Sequence, residues 1–363
     1  MQRVAIAGHT GRGNYGHNLD MAFVGVEGAE IVALADPDDK GREAAQAKTG
    51  APTAYADYRD MIEKERPDIT VFASREIGDH CDLVVAAQEI GTHIYIEKPL
   101  AATPAEVDRM IAVCEANHKL LIVGCPWRGH PPVQHTAIPL IKSGKIGEPR
   151  LARIHGMNGV HGGNQMFLDL YPHFFDFVGQ VWGDPLWCHA HITTNGRDTT
   201  PADVKPGVEG MGLVAGNGLR AYYQFENFAA DFEAYEGDHQ RPLPYRIDIH
   251  GTSGTLSMAG PMSNAPDIYF HPRVAPELMN DDEWEVIPSD PPPSDQKWLN
   301  AHNRMAKSMI DRIEGREPEF VLCEGKDARR HTEWAMGAHA SHIAGARVTF
   351  PLSSAENPFD NWK

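Results

Sequence analysis

The sequence predicts an α/β domain with a doubly wound parallel sheet, followed by an α+β domain with a large, mostly antiparallel open sheet. In the first 125 residues, short apolar runs alternate with longer amphipathic stretches, a pattern typical of parallel strands joined by crossover helices. After Pro126, Pro and Gly become frequent and apolar runs follow one another without intervening helical stretches, which favours an antiparallel sheet. The two patterns predict two domains.

Five apolar runs predict the strands of the first domain, and the stretches between them predict its helices. The predicted strands are Arg3–Ala7, Glu30–Ala35, Ile69–Ala73, His93–Glu97 and Leu120–Gly124. The predicted helices include Tyr58–Glu65, Cys81–Ile90 and Ala105–Asn117. The last helix has Thr103 as a candidate N-cap and Pro104 at its first position, which is a favoured helix start.

The second domain is predicted to carry consecutive strands and to end in two long helices. The predicted strands are Leu151–Met157, Leu186–Thr193, Leu219–Phe225 and Tyr245–His250, with Arg347–Leu352 as a closing strand. The proline-rich segment Pro288–Asp295 predicts an extended surface connection, because proline disrupts helices and central strands. Helical periodicity returns in Trp298–Gly315 and Lys326–Gly345.

The composition excludes several classes of partner. The 363 residues include 33 Lys plus Arg against 50 Asp plus Glu, a net charge of −17, so the long-range field repels nucleic acid and anionic membrane surfaces. No run approaches the roughly 20 apolar residues of a membrane span, and the first residues lack a signal-peptide layout. The five cysteines never form a CxxC pair, which fits reduced thiols. We therefore expect a cytoplasmic protein that binds neither nucleic acid nor membranes.

A glycine-rich turn follows the first predicted strand and indicates a dinucleotide site. Backbone N–H groups of such a turn, opening a helix, can approach a pyrophosphate. The candidate cofactor-binding residues here are Gly8, Thr10, Gly11, Arg12 and Gly13. At the end of the second strand, Asp36 can accept hydrogen bonds from the adenosine ribose hydroxyls. Asp38 adds a negative charge that disfavours the extra phosphate of NADP, so we expect NAD as the cofactor.

Two further segments carry candidate catalytic groups. Lys98 follows the strand ending at Glu97, and at the carboxyl end of a parallel sheet its ammonium could stabilise a developing alkoxide. Asp169, His173 and Asp176 are spaced to share one helix face. Because proline fits only the first helical turn, Pro172 predicts Asp169 near the N-cap and His173 in the opening turn. A surface lysine and a structural histidine are the alternatives.

These segments, together with Lys142–Pro149 and Gly251–Leu256, resemble the glucose–fructose oxidoreductase/inositol dehydrogenase/rhizopine catabolism (Gfo/Idh/MocA) family from Arg3 to Leu352. The resemblance implies an NAD-binding Rossmann domain, here 1–124. It also implies an α+β domain, here 125–363, that binds substrate and whose open sheet forms subunit interfaces in a homodimer or homotetramer.

The resemblance assigns roles residue by residue. It implies that Lys98 is the catalytic lysine, His173 the proton donor or acceptor and Asp169 its acidic companion. Arg128 matches a position that faces substrate in relatives. A cis peptide before Pro99 is also implied.

The sequence departs from the family pattern near the expected nicotinamide position. Ser74 and Arg75, with Glu76, stand where relatives have a Thr-Pro-Asn/Asp-like stretch, and Tyr171 stands where glycine is usual. We include Ser74, Arg75, Glu97 and Lys98 among the cofactor-binding candidates. Arg75 could bind a carboxylate or sulfonate bidentately, or it could form a surface salt bridge.

The chain contains 19 histidines, a surplus that raises the question of a metal. The sequence has neither HExxH nor CxxC to anchor a metal site, so we expect none. His155 and His161 are instead interpreted as partners of sugar hydroxyls.

The leading hypothesis is an NAD-dependent oxidoreductase acting on a sugar, cyclitol or sugar derivative. One alternative is a redox-neutral glycosidase or lyase that oxidises a sugar carbon transiently. A second alternative is an NAD-sensing regulator without catalysis, which would have no need of the Lys98, Asp169 and His173 set.

Overall fold

The N-terminal part contains a six-stranded parallel sheet with the strand order β3-β2-β1-β4-β5-β6. In the computed structural model, residues 1–156, 163–237, 245–260, 264–272, 284–295 and 297–363 are described. The strands are β1 (Gln2–Ala7), β2 (Ala29–Ala35), β3 (Thr53–Tyr55), β4 (Ile69–Phe72), β5 (His93–Ile96) and β6 (Leu121–Val123). The doubly wound order confirms the predicted fold class.

Four helices connect these strands, and their starts follow from local side-chain chemistry. They are α1 (Asp39–Thr49), α2 (Tyr58–Glu65), α3 (Ile77–Gln88) and α4 (Pro104–Ala116). Asp38 and Asp57 cap α1 and α2 by accepting a hydrogen bond from a first-turn N–H. At α4, Thr103 and Glu106 form a reciprocal capping box, and Pro104 occupies the first position, as the sequence predicted.

The glycine-rich turn after β1 does not open an α-helix, contrary to the prediction. The chain instead forms a short 3-10 helix, Gly16–Met21, which contains His17 and Asn18 in left-handed conformations (φ 46° and 64°). Left-handed residues break the repeating hydrogen bonds of an α-helix. The turn itself is closed by backbone hydrogen bonds from Arg12 and Asn14 to the His9 carbonyl (3.0 and 2.9 Å).

Two compact units divide the chain. Unit 1 comprises Met1–Gly129, Pro206–Gly212 and Trp298–Thr332, and unit 2 comprises His130–Lys205, Leu213–Lys297 and Glu333–Lys363. The predicted single boundary between residues 124 and 125 therefore differs from the observed division, because two later segments of the chain belong to unit 1. The physical reason is helix α8 (Trp298–Ile313), whose Met305, Met309 and Ile310 are buried in one cluster with residues of β1, β2, β4 and β5.

Unit 2 contains a mostly antiparallel sheet with the strand order β17-β16-β15-β14-β7-β13-β12-β8-β18, and β9 pairs with β8. Its strands are β7 (Pro149–His155), β8 (Trp187–Thr194), β9 (Arg197–Asp198), β12 (Gly218–Gln224), β13 (Ala229–Tyr235), β14 (Tyr245–Gly251), β15 (Gly254–Gly260), β16 (Asp267–Pro272), β17 (Glu285–Ile287) and β18 (Val348–Thr349). Two short strands, β10 (Lys205–Pro206) and β11 (Leu213–Val214), lie outside this sheet. The described β7–β13 pair is parallel. This sheet confirms the second part of the predicted fold class.

The remaining helices are α5 (Ile138–Lys142), α6 (Gly163–Asp169), α7 (Pro172–Trp182) and α9 (Gly325–Ala344). An aromatic cluster that includes Phe167, Tyr171, Phe175, Phe232 and Trp334 fills the core of unit 2, with ring centroids 4.5 to 6.1 Å apart. Within the described ranges, no helix combines the length and the apolar character that crossing a membrane requires.

Three predicted elements differ from the structure. The helix expected around Asp169 and His173 is two helices, because Pro172 lacks an N–H and starts α7; Asp169 ends α6, and Tyr171 is the N-cap. The closing strand is only Val348–Thr349, since Pro351 follows and has no donor for a ladder. The predicted connection Pro288–Asp295 includes a 3-10 turn at Pro293–Asp295. Met157, the predicted end of one strand, lies outside the described residues.

Candidate active site

A cavity of about 360 Å³ opens at the carboxyl ends of the parallel strands in unit 1. Ligands of open α/β sheets bind at this edge. Its lining comes from the ends of β1, β2 and β4 and from helix α3, and includes Ala7, Gly8, Pro37, Phe72, Ser74 and Leu83. The mixture of apolar side chains with a few polar groups suits a flat heteroaromatic ring.

Asp36, at the end of β2, is buried in a hydrogen-bond network. Its carboxylate accepts hydrogen bonds from the Thr10 N–H (3.0 Å) and hydroxyl (2.7 Å) and from the Asp38 N–H (2.9 Å). The Tyr15 hydroxyl donates to the same Oδ2 atom at 2.8 Å. Burial, followed by this contact with Asp36, raises the pKa of Tyr15 well above its usual value. Asp36 therefore accepts hydrogen bonds from four donor groups of the protein where the sequence predicted a ribose contact.

The Tyr15 ring lies directly over Gly8. A Cβ atom added at Gly8 would lie 2.1 Å from the ring, so glycine is required there by the close approach. The cavity and the acidic residue at the end of β2 fit the adenosine half of a dinucleotide. The 3-10 segment beyond the turn supplies no α-helix N-terminus for the pyrophosphate, so N–H groups of the turn would have to hold it, and that of Gly11 already donates to Asn14 Oδ1 at 2.9 Å.

The other cofactor-binding candidates form a connected layer between the turn and the end of β4. The Ser74 hydroxyl donates to the Arg12 carbonyl (3.0 Å), and the Arg75 N–H donates to the Gly13 carbonyl (3.2 Å). The Arg12 guanidinium pairs with Asp79 (2.8 Å). Arg75 pairs with Glu209 at 3.1 Å, so of the two interpretations of Arg75 the structure has the salt bridge.

Lys98 lies beyond the end of β5, where the predicted cis peptide before Pro99 is present. Its side chain is buried, and so is that of Glu97. Glu97 Oε1 lies 2.5 Å from His17 Nδ1. Burial alone would raise the pKa of Glu97, but the charge and hydrogen bond of His17, supported by the charge of Lys98, hold it below its usual value. The strand end therefore presents a cation beside a buried carboxylate.

Arg128 lies in unit 1 and is buried in an ion pair. Its guanidinium lies 3.5 Å from Asp327 and donates to the Leu322 carbonyl at 3.4 Å. These contacts come from the segment before helix α9 and from its first turn. A substrate role for Arg128 stays a prediction.

The candidates in unit 2 come from three elements. His173 is the second residue of α7 and is buried, in the opening turn as predicted. Asp169 ends α6, and its charge adds to the burial that raises the pKa of Tyr245. His155 ends β7 and is half-buried. His161 lies outside the described residues. Their catalytic and substrate roles stay predictions.

Sequence reasoning missed four residues around this edge of unit 1: Tyr15, His17, Trp298 and His302. The His17 and Trp298 rings are 4.3 Å apart, and His302 Nδ1 lies 2.8 Å from the Tyr95 hydroxyl. Tyr15 and His17 occur in the glycine-rich segment, which was a usable signal. Trp298 and His302 are more than 200 positions away in the chain, so no local pattern could place them here.

One group of side chains in the described ranges could hold a metal ion. Single donor atoms of Cys125, Cys323 and His331 lie within 4.8 Å of one another, and all three residues are buried. Structural zinc sites take four protein ligands. Three donors are one fewer than such a site uses, and Cys125 and Cys323 also belong to the buried apolar cluster beside β6, where the Val123 N–H donates to the Cys323 carbonyl at 2.8 Å.

Comparisons with known proteins match this description. The model of an oxidoreductase family with an NAD-binding Rossmann fold matches residues 2–125. D-apiose dehydrogenase from Paraburkholderia graminis is 28% identical over 262 residues, which cover 68% of this chain and 69% of that protein. Myo-inositol 2-dehydrogenase from Thermotoga maritima is 28% identical over 181 residues, which cover 47% of this chain and 52% of that protein.

Solved structures share the whole fold. Levoglucosan dehydrogenase in complex with NADH and L-sorbose matches with a TM-score of 0.76 and 18% identity, covering 97% of this chain and 99% of that chain. An oxidoreductase from Agrobacterium radiobacter in complex with NAD+, L-tartaric acid and magnesium matches with a TM-score of 0.72 and 20% identity, covering 96% and 98%. At these sequence identities, the structural similarity establishes that the fold is shared.

The parallel sheet, its strand-end cavity and the antiparallel second sheet define an oxidoreductase architecture with an N-terminal NAD-binding Rossmann fold. The match of residues 2–125 to the family model and the similarity to D-apiose dehydrogenase support the Gfo/Idh/MocA resemblance that the sequence predicted.

Proposed function

We propose that this protein is an NAD-dependent dehydrogenase that interconverts a hydroxyl and a carbonyl group of a sugar, cyclitol or sugar derivative. The observation that carries the proposal is the cavity at the strand ends of unit 1, with Asp36 and Lys98 at the same edge of one sheet. Relatives named as apiose and inositol dehydrogenases support the substrate class. NAD bound at this edge supplies the hydride acceptor.

The proton is handled by this chain's own side chains. Lys98 donates a hydrogen bond to the substrate oxygen and stabilises negative charge as it develops there. His173 takes the hydroxyl proton in oxidation and returns it in reduction, since a histidine changes charge near neutral pH. Asp169 orients His173. The burial of Lys98 and His173 supports these roles because low solvent exposure strengthens charge interactions.

Substitution of the two proton-handling residues tests the proposal. Lys98→Ala and His173→Ala are each expected to lower kcat at least a hundredfold, since a positioned acid or base contributes about 10²–10⁴ in rate. Turnover is followed as NADH absorbance at 340 nm during a screen of sugars, sugar acids and inositols. Unchanged thermal unfolding midpoints would show that both variants fold. Near-parental turnover in both variants would refute the assignment.

The same screen separates net oxidation from the two alternative functions. Consumption of substrate without NADH accumulation, with solvent deuterium entering the product, indicates a redox-neutral lyase or glycosidase. Binding of NAD with no product from any compound in the screen indicates a regulator. Mass analysis of products accompanies the absorbance readings, so each outcome has its own signature.

We propose further that the protein is a cytoplasmic homodimer or homotetramer. All five cysteines are buried thiols outside any disulfide, which suits a reducing compartment. One face of the unit 2 sheet leaves His189, His191 and Arg220 exposed, and Tyr222 is 37% exposed, a mixture of aromatic and charged groups that suits a subunit interface. Light scattering on the purified protein measures the assembly directly.

A further inference from the structure

A buried ion pair lies immediately before Lys98 in the chain. Glu97 is fully buried, and His17 contacts only one of its two carboxylate oxygens, Oε1. The second oxygen, Oε2, is also buried and has no hydrogen-bond partner among the described residues. A buried carboxylate oxygen without a hydrogen-bond donor costs free energy, and such groups are rare in native structures. The pair therefore requires an explanation beyond packing.

The loop that carries His17 is bent to reach Glu97. Asn14, His17 and Asn18 have positive φ angles of 53°, 46° and 64°, a region that costs free energy for residues with side chains. The Gly16 N–H donates to the Ala73 carbonyl at 2.7 Å, and a Cβ atom at Gly16 would lie 2.7 Å from Glu97 Cδ. Residue 16 must therefore be glycine for the backbone to pass over the carboxylate. Strain of this kind accumulates at functional sites.

Other titratable groups surround the pair. His302 from α8 lies close enough for its charge to lower the pKa of Glu97, while burial, the larger effect on His302, lowers the pKa of that imidazole to about 4. His302 is therefore neutral at pH 7, and of the groups that lower the pKa of Glu97, His17 has the largest effect and Lys98 adds to it. Arg75 packs its aliphatic stem against Gly16, and its guanidinium is paired with Glu209.

We propose that His17 is a positioning residue for Lys98 and acts through Glu97. His17 holds the buried carboxylate in its anionic form and in one orientation, and this fixed anion orients the Lys98 ammonium toward the substrate oxygen. The inference rests on the proposed function, in which Lys98 touches the substrate. It assigns a role to His17, a residue of the glycine-rich segment that cofactor binding alone does not require.

A double-mutant cycle tests the coupling. His17→Gln, Glu97→Gln and the double variant are assayed with NAD and the substrate that gives the highest turnover in the screen. Each single variant is expected to lower kcat about ten- to a hundredfold. The kcat of the double variant is expected to lie within about threefold of that of the less active single variant, because coupled residues act non-additively. The KM for NAD is expected to stay within about threefold.

The pH profile separates positioning from simple stabilisation. In His17→Gln the cation that lowers the pKa of Glu97 is gone and burial raises that pKa, so Glu97 takes up a proton at higher pH. The acid limb of the kcat profile is therefore expected to move to higher pH. Without substrate or cofactor, the lowered pKa of Glu97 makes acid destabilise the parent, so the fall of the thermal unfolding midpoint on acidification should be smaller in His17→Gln, where the folded state no longer resists protonation of Glu97.

Lys48→Gln is the matched control. Asp20 in the same 3-10 helix is buried and pairs with Lys48 at 2.6 Å, so this variant also leaves a buried carboxylate without its cation. It is expected to lower the unfolding midpoint without moving the acid limb. Additive losses, or an unmoved acid limb in His17→Gln, would overturn this inference if Lys98→Ala is inactive. A fully active Lys98→Ala would instead overturn the proposed function.

Discussion

Asp36 shows how a single residue can match a motif and yet occupy an unexpected environment. A sequence pattern predicts an acidic group at the end of β2, and the group is there, but Thr10 and Tyr15 already donate to it. A ribose hydroxyl must displace at least one of these donors. Tyr15 is the candidate for displacement, because Thr10 is additionally held by its own backbone N–H. Local sequence was enough to predict Asp36 itself. The hydrogen bonds from Thr10 and Tyr15 that compete with a ribose hydroxyl depend on the folded turn.

Tyr15→Phe is predicted to tighten NAD binding. The substitution keeps the ring over Gly8 and removes the donor that competes for Asp36. Since a hydrogen bond contributes about 1 kcal/mol net, the Kd for NAD should fall about fivefold. Calorimetric titration measures this, with Tyr55→Phe as control because the Tyr55 phenol donates instead to Glu65.

Weaker or unchanged NAD binding in Tyr15→Phe would show that the ribose does not use Asp36. NADP titrated in parallel should bind more weakly than NAD to both proteins, because Asp36 and Asp38 repel a 2′-phosphate. The reverse order would contradict the choice of cofactor.

Among the elements, α8 packs on the parallel sheet of unit 1 although it lies far from that sheet along the chain. Its apolar side chains complete the cluster on one face of the parallel sheet. Asn303 from the same helix donates to the Met21 and Ala22 carbonyls at 3.2 and 2.9 Å, which satisfies the end of the 3-10 segment. Helix α8 thus covers one face of the parallel sheet. The sequence had instead predicted a helix directly after the glycine-rich turn.

Met309→Ala is predicted to destabilise unit 1. Met309 is fully buried in this cluster, and truncation of a buried methionine costs about 2–5 kcal/mol through lost burial and a residual cavity. Chemical denaturation should show an earlier unfolding transition. Asn300→Ala, an exposed position on the same helix, should change the stability by less than about 0.5 kcal/mol. Equal effects of the two substitutions would argue against packing as the role of α8.

The sequence predicted elements well where the determining chemistry is local. Thr103 and Pro104 specify the start of α4 within four residues, and the capping box forms as expected. Asp169 was misplaced because Pro172 fixes a helix start without showing that another helix ends just before it. The His17–Glu97 pair joins residues 80 positions apart, and no periodicity or motif encodes such a contact. The catalytic candidates came from strand-end position and helical spacing together with the family resemblance, and their roles remain predictions.

For the whole molecule, the histidine surplus is partly explained by burial. His80, His302 and His339 are fully buried and act as hydrogen-bonding groups inside the fold. The His80 ring nitrogens lie 2.8 and 3.1 Å from the Ser74 and Leu100 carbonyl oxygens, and His339 Nε2 lies 3.1 Å from the Asn164 amide. Several histidines are therefore structural.

Buried neutral histidines predict that acid weakens the fold. Burial lowers the pKa of His339 to about 3, whereas an unfolded histidine titrates at about 6.5. The unfolded chain therefore binds more protons below that pH, and stability contributed by neutral His339 is lost as the pH falls from about 6.5 toward 3. His339→Gln should show a shallower fall of the urea midpoint between pH 6.5 and 4.

The exposed His118 provides the comparison for that measurement. His118→Asn should leave the pH dependence of the urea midpoint as it is in the parent, since asparagine tolerates its positive φ of 54°. If His339→Gln has the parental slope, the buried imidazole does not govern acid sensitivity.

The late position of α8 in the chain has a consequence for biosynthesis. The last strand of the parallel sheet, β6, ends at Val123, yet the helix that covers one face of the sheet begins only at Trp298, about 175 residues later. During synthesis, Leu34, Val71 and Tyr95 cannot pack against the side chains of α8 until most of unit 2 has emerged from the ribosome. A nascent chain with an uncovered apolar sheet face is a substrate for chaperones. Expression of residues 1–124 alone should therefore give an aggregation-prone fragment.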